Sequence, residues 1–139
     1  MEITANALQT VNANQNILFT DIVVDGNCSI VHRNGSGLVT LRGITNQCRA
    51  RYRVSFGGNI GIPTGETVGE ISLAIAIDGE PVAATTMIEV PAAVENLYNV
   101  FSAVFLDIPR SCCSQISVVN TSDIPVLVQN ANLIVERVA

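Results

Sequence analysis

The segment from Arg49 to Phe56 alternates between polar and apolar side chains at every position, and this pattern restricts the fold more than any other feature of the chain. A period of two places successive side chains on opposite faces of a β-strand. One face carries Ala50, Tyr52, Val54 and Phe56, and the other carries Arg49, Arg51, Arg53 and Ser55. The segment is therefore predicted to be a strand with one apolar face.

Similar strand-like runs recur along the chain, separated by turns that are rich in Gly, Pro, Asn and Asp. The Asp78-Gly79 dipeptide suits a tight hairpin turn with positive φ. Val, Ile, Thr and Asn are abundant, and the strong helix formers do not recur at helical spacing. This pattern is typical of a sandwich or barrel. The predicted strands span residues 16–24, 28–32, 38–44, 49–56, 70–77, 81–90, 97–108, 114–120 and 125–138.

The length of 139 residues predicts one folded domain, and we place it at residues 15–139. Residues 1–14 have few apolar positions, so we expect an N-terminal arm that docks on a neighbouring protein. The start of the chain lacks the basic and apolar regions of a signal peptide, which favours assembly in a cytoplasm. No apolar run is long enough to span a bilayer, and no membrane partner is expected.

The charge balance excludes some partners. The chain has 7 Arg, no Lys and 12 acidic residues, which gives a formal net charge of −5. Nucleic-acid binding needs clustered positive charge, so no nucleic-acid partner is expected. Because 48% of the residues are hydrophobic and 14% are charged, the chain has surplus apolar surface that is consistent with burial in an assembly.

No residue pattern points to catalysis. A Ser or Cys nucleophile would need a neighbouring His, and the single His, His32, falls in a turn region. The acidic residues lie in turns and at strand ends, and the glycines do not precede a helix as in a phosphate-binding loop. We therefore expect no catalytic residue, no cofactor and no enzyme activity.

The four cysteines, Cys28, Cys48, Cys112 and Cys113, allow three disulfide pairings. A bond between the vicinal Cys112 and Cys113 would be strained, so each is expected to face a different partner. At least one disulfide and a set of buried free thiols are both open interpretations. A zinc site lacks support, because the chain has no C-x-x-C pair and no His near the cysteines.

Arg49, Arg51 and Arg53 form the strongest charge feature. Like charges at a spacing of two on one strand face repel unless acidic groups lie opposite. Two interpretations remain open: a solvated outer face, or ion pairs within a subunit or across an interface. The candidate acidic partners are Glu66, Glu70, Glu89 and Glu95.

Several segments together resemble one known superfamily. The alternating strand 50–56 looks like the third strand of the jelly-roll heads of the tumour necrosis factor and complement component 1q superfamily. The segment 71–82 resembles the central hairpin of these heads, and 101–119 resembles their late pair of strands. Residues 51–65 and Ser111-Cys112-Cys113 also look similar to small proteins of Firmicutes and their prophages. The resemblance covers roughly residues 15 to 138 and implies a two-sheet antiparallel jelly-roll sandwich of about nine or ten short strands.

The resemblance also implies a homotrimer that buries one sheet of each subunit. The small residues Ala74 and Ala76 would then lie near the threefold axis. In this arrangement, the strand that starts near Cys48 pairs with the strand that ends near Ile108. Cys48 would thereby approach Cys112 and Cys113 and form a disulfide with one of them, and Cys28 would pair across subunits or stay free.

We interpret the chain as a structural or interaction protein, with a trimeric bacteriophage virion component as the first candidate: a head decoration, a head fibre or a receptor-facing tail-tip protein. Such a protein would contact capsid or other virion proteins through its arm. The alternatives are a spore-surface or appendage subunit, and a ligand- or carbohydrate-binding module. The expected location is a virion, cell or spore surface, reached after assembly in a cytoplasm.

Overall fold

The computed structural model describes residues 1–139 as twelve β-strands and one short 3-10 turn at Ala83–Thr85. All strand pairs are antiparallel. No helix is long and apolar enough to cross a bilayer. The strands are β1 (Glu2–Ala5), β2 (Gln9–Val11), β3 (Asp21–Val24), β4 (Ile30–His32), β5 (Val39–Arg42), β6 (Arg49–Gly61), β7 (Ile71–Ile77), β8 (Glu80–Pro81), β9 (Met87–Glu89), β10 (Tyr98–Pro109), β11 (Cys113–Asn120) and β12 (Val126–Arg137).

The strands form two sheets that pack face to face. The first sheet has the order β10-β6-β12-β1-β3, and β2 pairs with β12. The second sheet has the order β4-β5-β11-β7-β8, and β9 pairs with β7. The predicted all-β sandwich is confirmed, although the strands are more numerous than expected and three of them are long.

The longest strand, β6, continues through a region that the sequence predicts as a connection. Gly57 and Gly58 do not end it, because neither glycine has the positive φ that would turn the chain. Gly57 instead pairs in register with Phe101 of β10 and Asn132 of β12. Backbone pairing on both sides therefore extends β6 to 13 residues.

The predicted alternation in β6 defines the core. Ala50, Tyr52, Val54 and Phe56 are all fully buried between the sheets. Phe56 packs edge to face on Phe19, with ring centroids 6.5 Å apart. The Asp78-Gly79 hairpin is also confirmed, since both residues have positive φ and join β7 to β8.

The boundary at residue 14 needs correction, because the first residues belong to the sandwich. Strand β1 pairs with β12 on one side and with β3 on the other. Ile3 is completely buried, and Ala5 and Val11 are almost completely buried in the same core. Three well-placed apolar side chains and two strand partners order this segment, although its composition is polar. Residues 1–14 therefore contribute strands to the sandwich and do not form a separate arm.

Candidate interaction surface

The outer face of the first sheet has an apolar middle. On β10, Phe101 and Phe105 point outward on either side of Ala103, and each phenylalanine is 63% exposed. Ala103 lies opposite Ser55, and Phe101 lies opposite Gly57. Gly57 has no side chain to cover the ring of Phe101, whereas Phe105 lies directly opposite Arg53.

The next strand continues this apolar middle. Ile134 of β12 pairs with Ser55 of β6 and with Glu2 of β1, and it is 39% exposed. The row therefore runs Ala103, Ser55, Ile134 across three strands, and Phe101 and Phe105 flank it on β10. Sequence reasoning missed this surface, because it becomes visible only when the strand order places these residues side by side.

The three arginines of β6 lie at one end of this outer face and form ion pairs. Arg51 donates two hydrogen bonds to Asp107, with Nε–Oδ1 at 2.8 Å and Nη2–Oδ2 at 3.1 Å. Arg49 Nε also lies 3.1 Å from Asp107 Oδ2, and Arg53 Nη1 lies 3.3 Å from Glu136 Oε1. The side chains of these three arginines, which we call the arginine ladder, remain at least 42% exposed, so the ladder is both paired and solvated.

The acidic partners differ from those expected. The four candidates Glu66, Glu70, Glu89 and Glu95 make no ion pair with the ladder. The register instead places Asp107 directly opposite Arg51 and Glu136 directly opposite Arg53. The hydrogen bonds from Arg51 hold the pKa of Asp107 below its usual range, and the same contacts raise the pKa of Arg51.

A row of asparagines lies at the opposite end of the face. Asn99 Nδ2 donates to Asn59 Oδ1 at 3.2 Å, and Asn59 Nδ2 donates to Asn130 Oδ1 at 3.3 Å. Asn130 lies where the register of β12 shifts, with a φ of 54° that asparagine tolerates better than most residues. The face is thus apolar in the middle, with paired charges at one end and linked amides at the other.

Ala74 and Ala76 do not contribute to such a surface. Both lie in β7 of the second sheet and are completely buried within one subunit. The prediction that they line a subunit interface is therefore wrong. All residues of β7 except Ile77 are buried, so other parts of the same chain cover both faces of this strand.

The four cysteines are exposed free thiols. The interpretation of the four cysteines as buried free thiols is therefore wrong. The expected pairing of the strand after Cys48 with the strand that ends near Ile108 is present. Strands β6 and β10 pair down to Arg49 and Pro109, and Arg110 N donates to Cys48 O at 3.0 Å. No group of three or more His, Cys, Asp or Glu side chains is placed to hold a metal ion.

The single histidine and the hydroxyl groups of one surface groove contact other groups of the same chain. His32 Nδ1 lies 3.0 Å from Leu38 O, and its Nε2 lies 3.4 Å from Phe19 O. A shallow groove of about 500 Å³ near the start of β7 is lined by hydroxyl and acidic side chains and by no aromatic ring. Two of these hydroxyls, Ser72 Oγ and Thr121 Oγ1, already bond to each other at 2.6 Å.

No protein-family model matches the chain, and no curated protein matches its sequence. The globular domain of a zebrafish complement 1qA protein superposes with a TM-score of 0.70 at 13% identity, covering 99% of this chain and 95% of that one. The Eiger TNF of S. frugiperda superposes with a TM-score of 0.67 at 11% identity, covering 100% of this chain and 92% of that one. The chain therefore has the jelly-roll fold of the tumour necrosis factor and complement component 1q domains, as its sequence resemblance predicts.

Proposed function

We propose that this chain is a non-enzymatic structural subunit that works as a homotrimer on the surface of a bacteriophage particle, as a head decoration, a head fibre or a receptor-facing tail-tip protein. The observation that carries the proposal is the outer face of the first sheet, where Phe101 and Phe105 are both exposed on either side of Ala103, Phe101 opposite Gly57 and Phe105 opposite Arg53. Single exposed apolar residues are common, but two aromatic rings on one face favour an interface.

The layout of this face supports contact with another protein. Interfaces commonly have an apolar, aromatic centre and a polar rim. Here Phe101, Phe105 and Ile134 form the centre, the arginine ladder forms one rim and the asparagine row forms the other. The acidic partners Asp107 and Glu136 neutralise most of the charge of the ladder, so this end of the face presents little net charge to a neighbouring subunit.

The size of the face also suits a second copy of the chain. The three long strands, about 4.8 Å apart, and five rows about 6.8 Å apart give a footprint on the order of 500 Å². Stable protein interfaces bury roughly 800 Å² on each partner, which is of the same order. A trimer uses two contact regions per subunit, so the edge strand β10 of one subunit would pack against the outer face of the next.

Sedimentation equilibrium of the purified protein tests self-association. We expect a mass about three times the monomer mass of 14.7 kDa at micromolar concentration. A monodisperse monomer would overturn the homotrimer and the use of this face.

The location on a phage particle needs a separate experiment. Electron microscopy of the native assembly should show closed trimers seated on a capsid lattice or at a tail tip. A stacked fibre on a spore or cell would support the appendage alternative instead. Neighbouring capsid and portal genes would support the phage role, and neighbouring sporulation genes would contradict it.

A further inference from the structure

All four cysteines lie at one end of the sandwich, which we call the thiol end. Cys113 begins β11 directly opposite Arg42, the last residue of β5. On the other side of β5, the residue after Cys28 is Ser29, whose carbonyl accepts a hydrogen bond from Arg42 N at 2.9 Å. The thiol end therefore gathers segments from distant parts of the chain, and it comprises Cys28, Cys48, Cys112 and Cys113.

Cys48 and Cys112 both lie next to the turn between β10 and β11. This turn closes through a hydrogen bond from Cys112 N to Pro109 O at 3.0 Å, so its two ends lie within about 7 Å. Cys48 lies beside the same turn, because its carbonyl accepts a hydrogen bond from Arg110 N at 3.0 Å. The two cysteines are thus held next to one turn by backbone hydrogen bonds.

The other pairings are less favourable. Cys28 lies across β5 from Cys112, and two strand spacings amount to about 9.6 Å. That separation exceeds the roughly 7 Å over which two Cα atoms can be bridged by a disulfide. Cys113 pairs in register with the exposed Arg42 on the second sheet, and it lies on the outer side of that sheet. Cys48 immediately precedes β6 of the first sheet.

We propose that oxidation joins Cys48 to Cys112 in a disulfide that links the two sheets. Cys48 leads into β6 of the first sheet, and Cys112 leads into β11 of the second. The S–S bond forms as the two thiols lose two protons and two electrons, and dioxygen accepts both and becomes hydrogen peroxide. Reducing cytoplasm keeps the thiols open, and an oxidising exterior closes them.

The link should stabilise the folded protein. It closes a loop of roughly 65 residues, which restricts the unfolded chain. For a domain of this size, we expect a rise in melting temperature on the order of 10 °C after oxidation. Cys28 and Cys113 remain as free thiols on either side of β5.

Mass spectrometry of a non-reduced digest, run beside thermal melting before and after exposure to oxygen, tests the proposal. We expect a peptide pair that joins Cys48 to Cys112, together with a rise in melting temperature that reductant reverses. Cys48→Ser and Cys112→Ser should each abolish both signals. The matched controls Cys28→Ser and Cys113→Ser should retain them, since all four positions are exposed and tolerate serine.

Three results would overturn the proposal: a bond between Cys48 and Cys113, a gain in stability that survives Cys112→Ser, or links between chains alone. Four free thiols after prolonged oxidation would overturn it as well. The experiment uses the isolated chain, so its outcome does not depend on the proposed trimer or on the phage role.

Discussion

Replacing Phe101 and Phe105 by serine should separate assembly from folding. Both side chains are 63% exposed in the single chain, so their removal leaves the core of the subunit intact. The double variant Phe101→Ser/Phe105→Ser should therefore keep the cooperative melting transition of a folded subunit but lose self-association. This contrast directly tests whether the outer face of the first sheet is the interface between subunits.

The free energy that each phenylalanine contributes to association follows from its exposed area. A phenylalanine side chain offers about 200 Å², so a 63% exposed ring leaves about 125 Å² to be covered by a partner. At about 25 cal/mol per Å², each phenylalanine contributes about 3 kcal/mol to association when it is fully covered. Each single substitution should therefore weaken the contact about 100-fold.

Sedimentation equilibrium over a range of micromolar concentrations measures this effect. The matched control is Val31→Ser, because Val31 is 41% exposed on β4, at the edge of the second sheet away from β9 and β10. The control should keep the association constant of the unaltered protein. An unchanged association constant for the double variant, or an equal loss for Val31→Ser, would refute the assignment of the interface.

Further predictions concern stability. Tyr52→Phe removes the hydrogen bond from the buried hydroxyl to Arg42 O and should cost about 1–3 kcal/mol in urea unfolding, whereas an unchanged midpoint would contradict this role. Asp107→Asn should lower the melting temperature at pH 7. The lowered pKa of Asp107 makes its contribution complete above the usual carboxyl pKa, so the difference in melting temperature should shrink below that value and vanish once the pH has fallen through the folded-state pKa. Deletion of residues 1–11 removes β1 and β2 and should abolish cooperative unfolding, and a truncated chain with a sharp calorimetric transition would restore the arm hypothesis.

Local patterns were sufficient to predict the fold class. The alternation at 49–56 identified the buried and exposed faces of β6, and Asp78-Gly79 identified a hairpin with positive φ. Both predictions succeed because side-chain alternation and turn conformation depend on a few consecutive residues. The family resemblance added the strand adjacency that brings Cys48 close to the turn before Cys112.

The N-terminal segment shows where local patterns were insufficient. Its polar composition predicts an arm, but only three apolar side chains are needed to anchor it, since β12 and β3 satisfy the backbone of β1. Ala74 and Ala76 show the converse case. Their small size is compatible with an interface or with a crowded interior, and only the packing around β7 decides for the interior.

The sequence by itself therefore determined that this chain forms antiparallel strands, where many of them lie, and which face of β6 is apolar. Only the tertiary structure decided which residues meet across strands: Asp107 with Arg51, Glu136 with Arg53, and the cysteines at one end. The physical reason is that periodicity is a property of neighbouring residues, whereas strand order and register depend on contacts between distant segments. A shift of one residue in the register would move Phe101 and Phe105 relative to Gly57 and the arginines, and would remove the surface on which the proposed function rests.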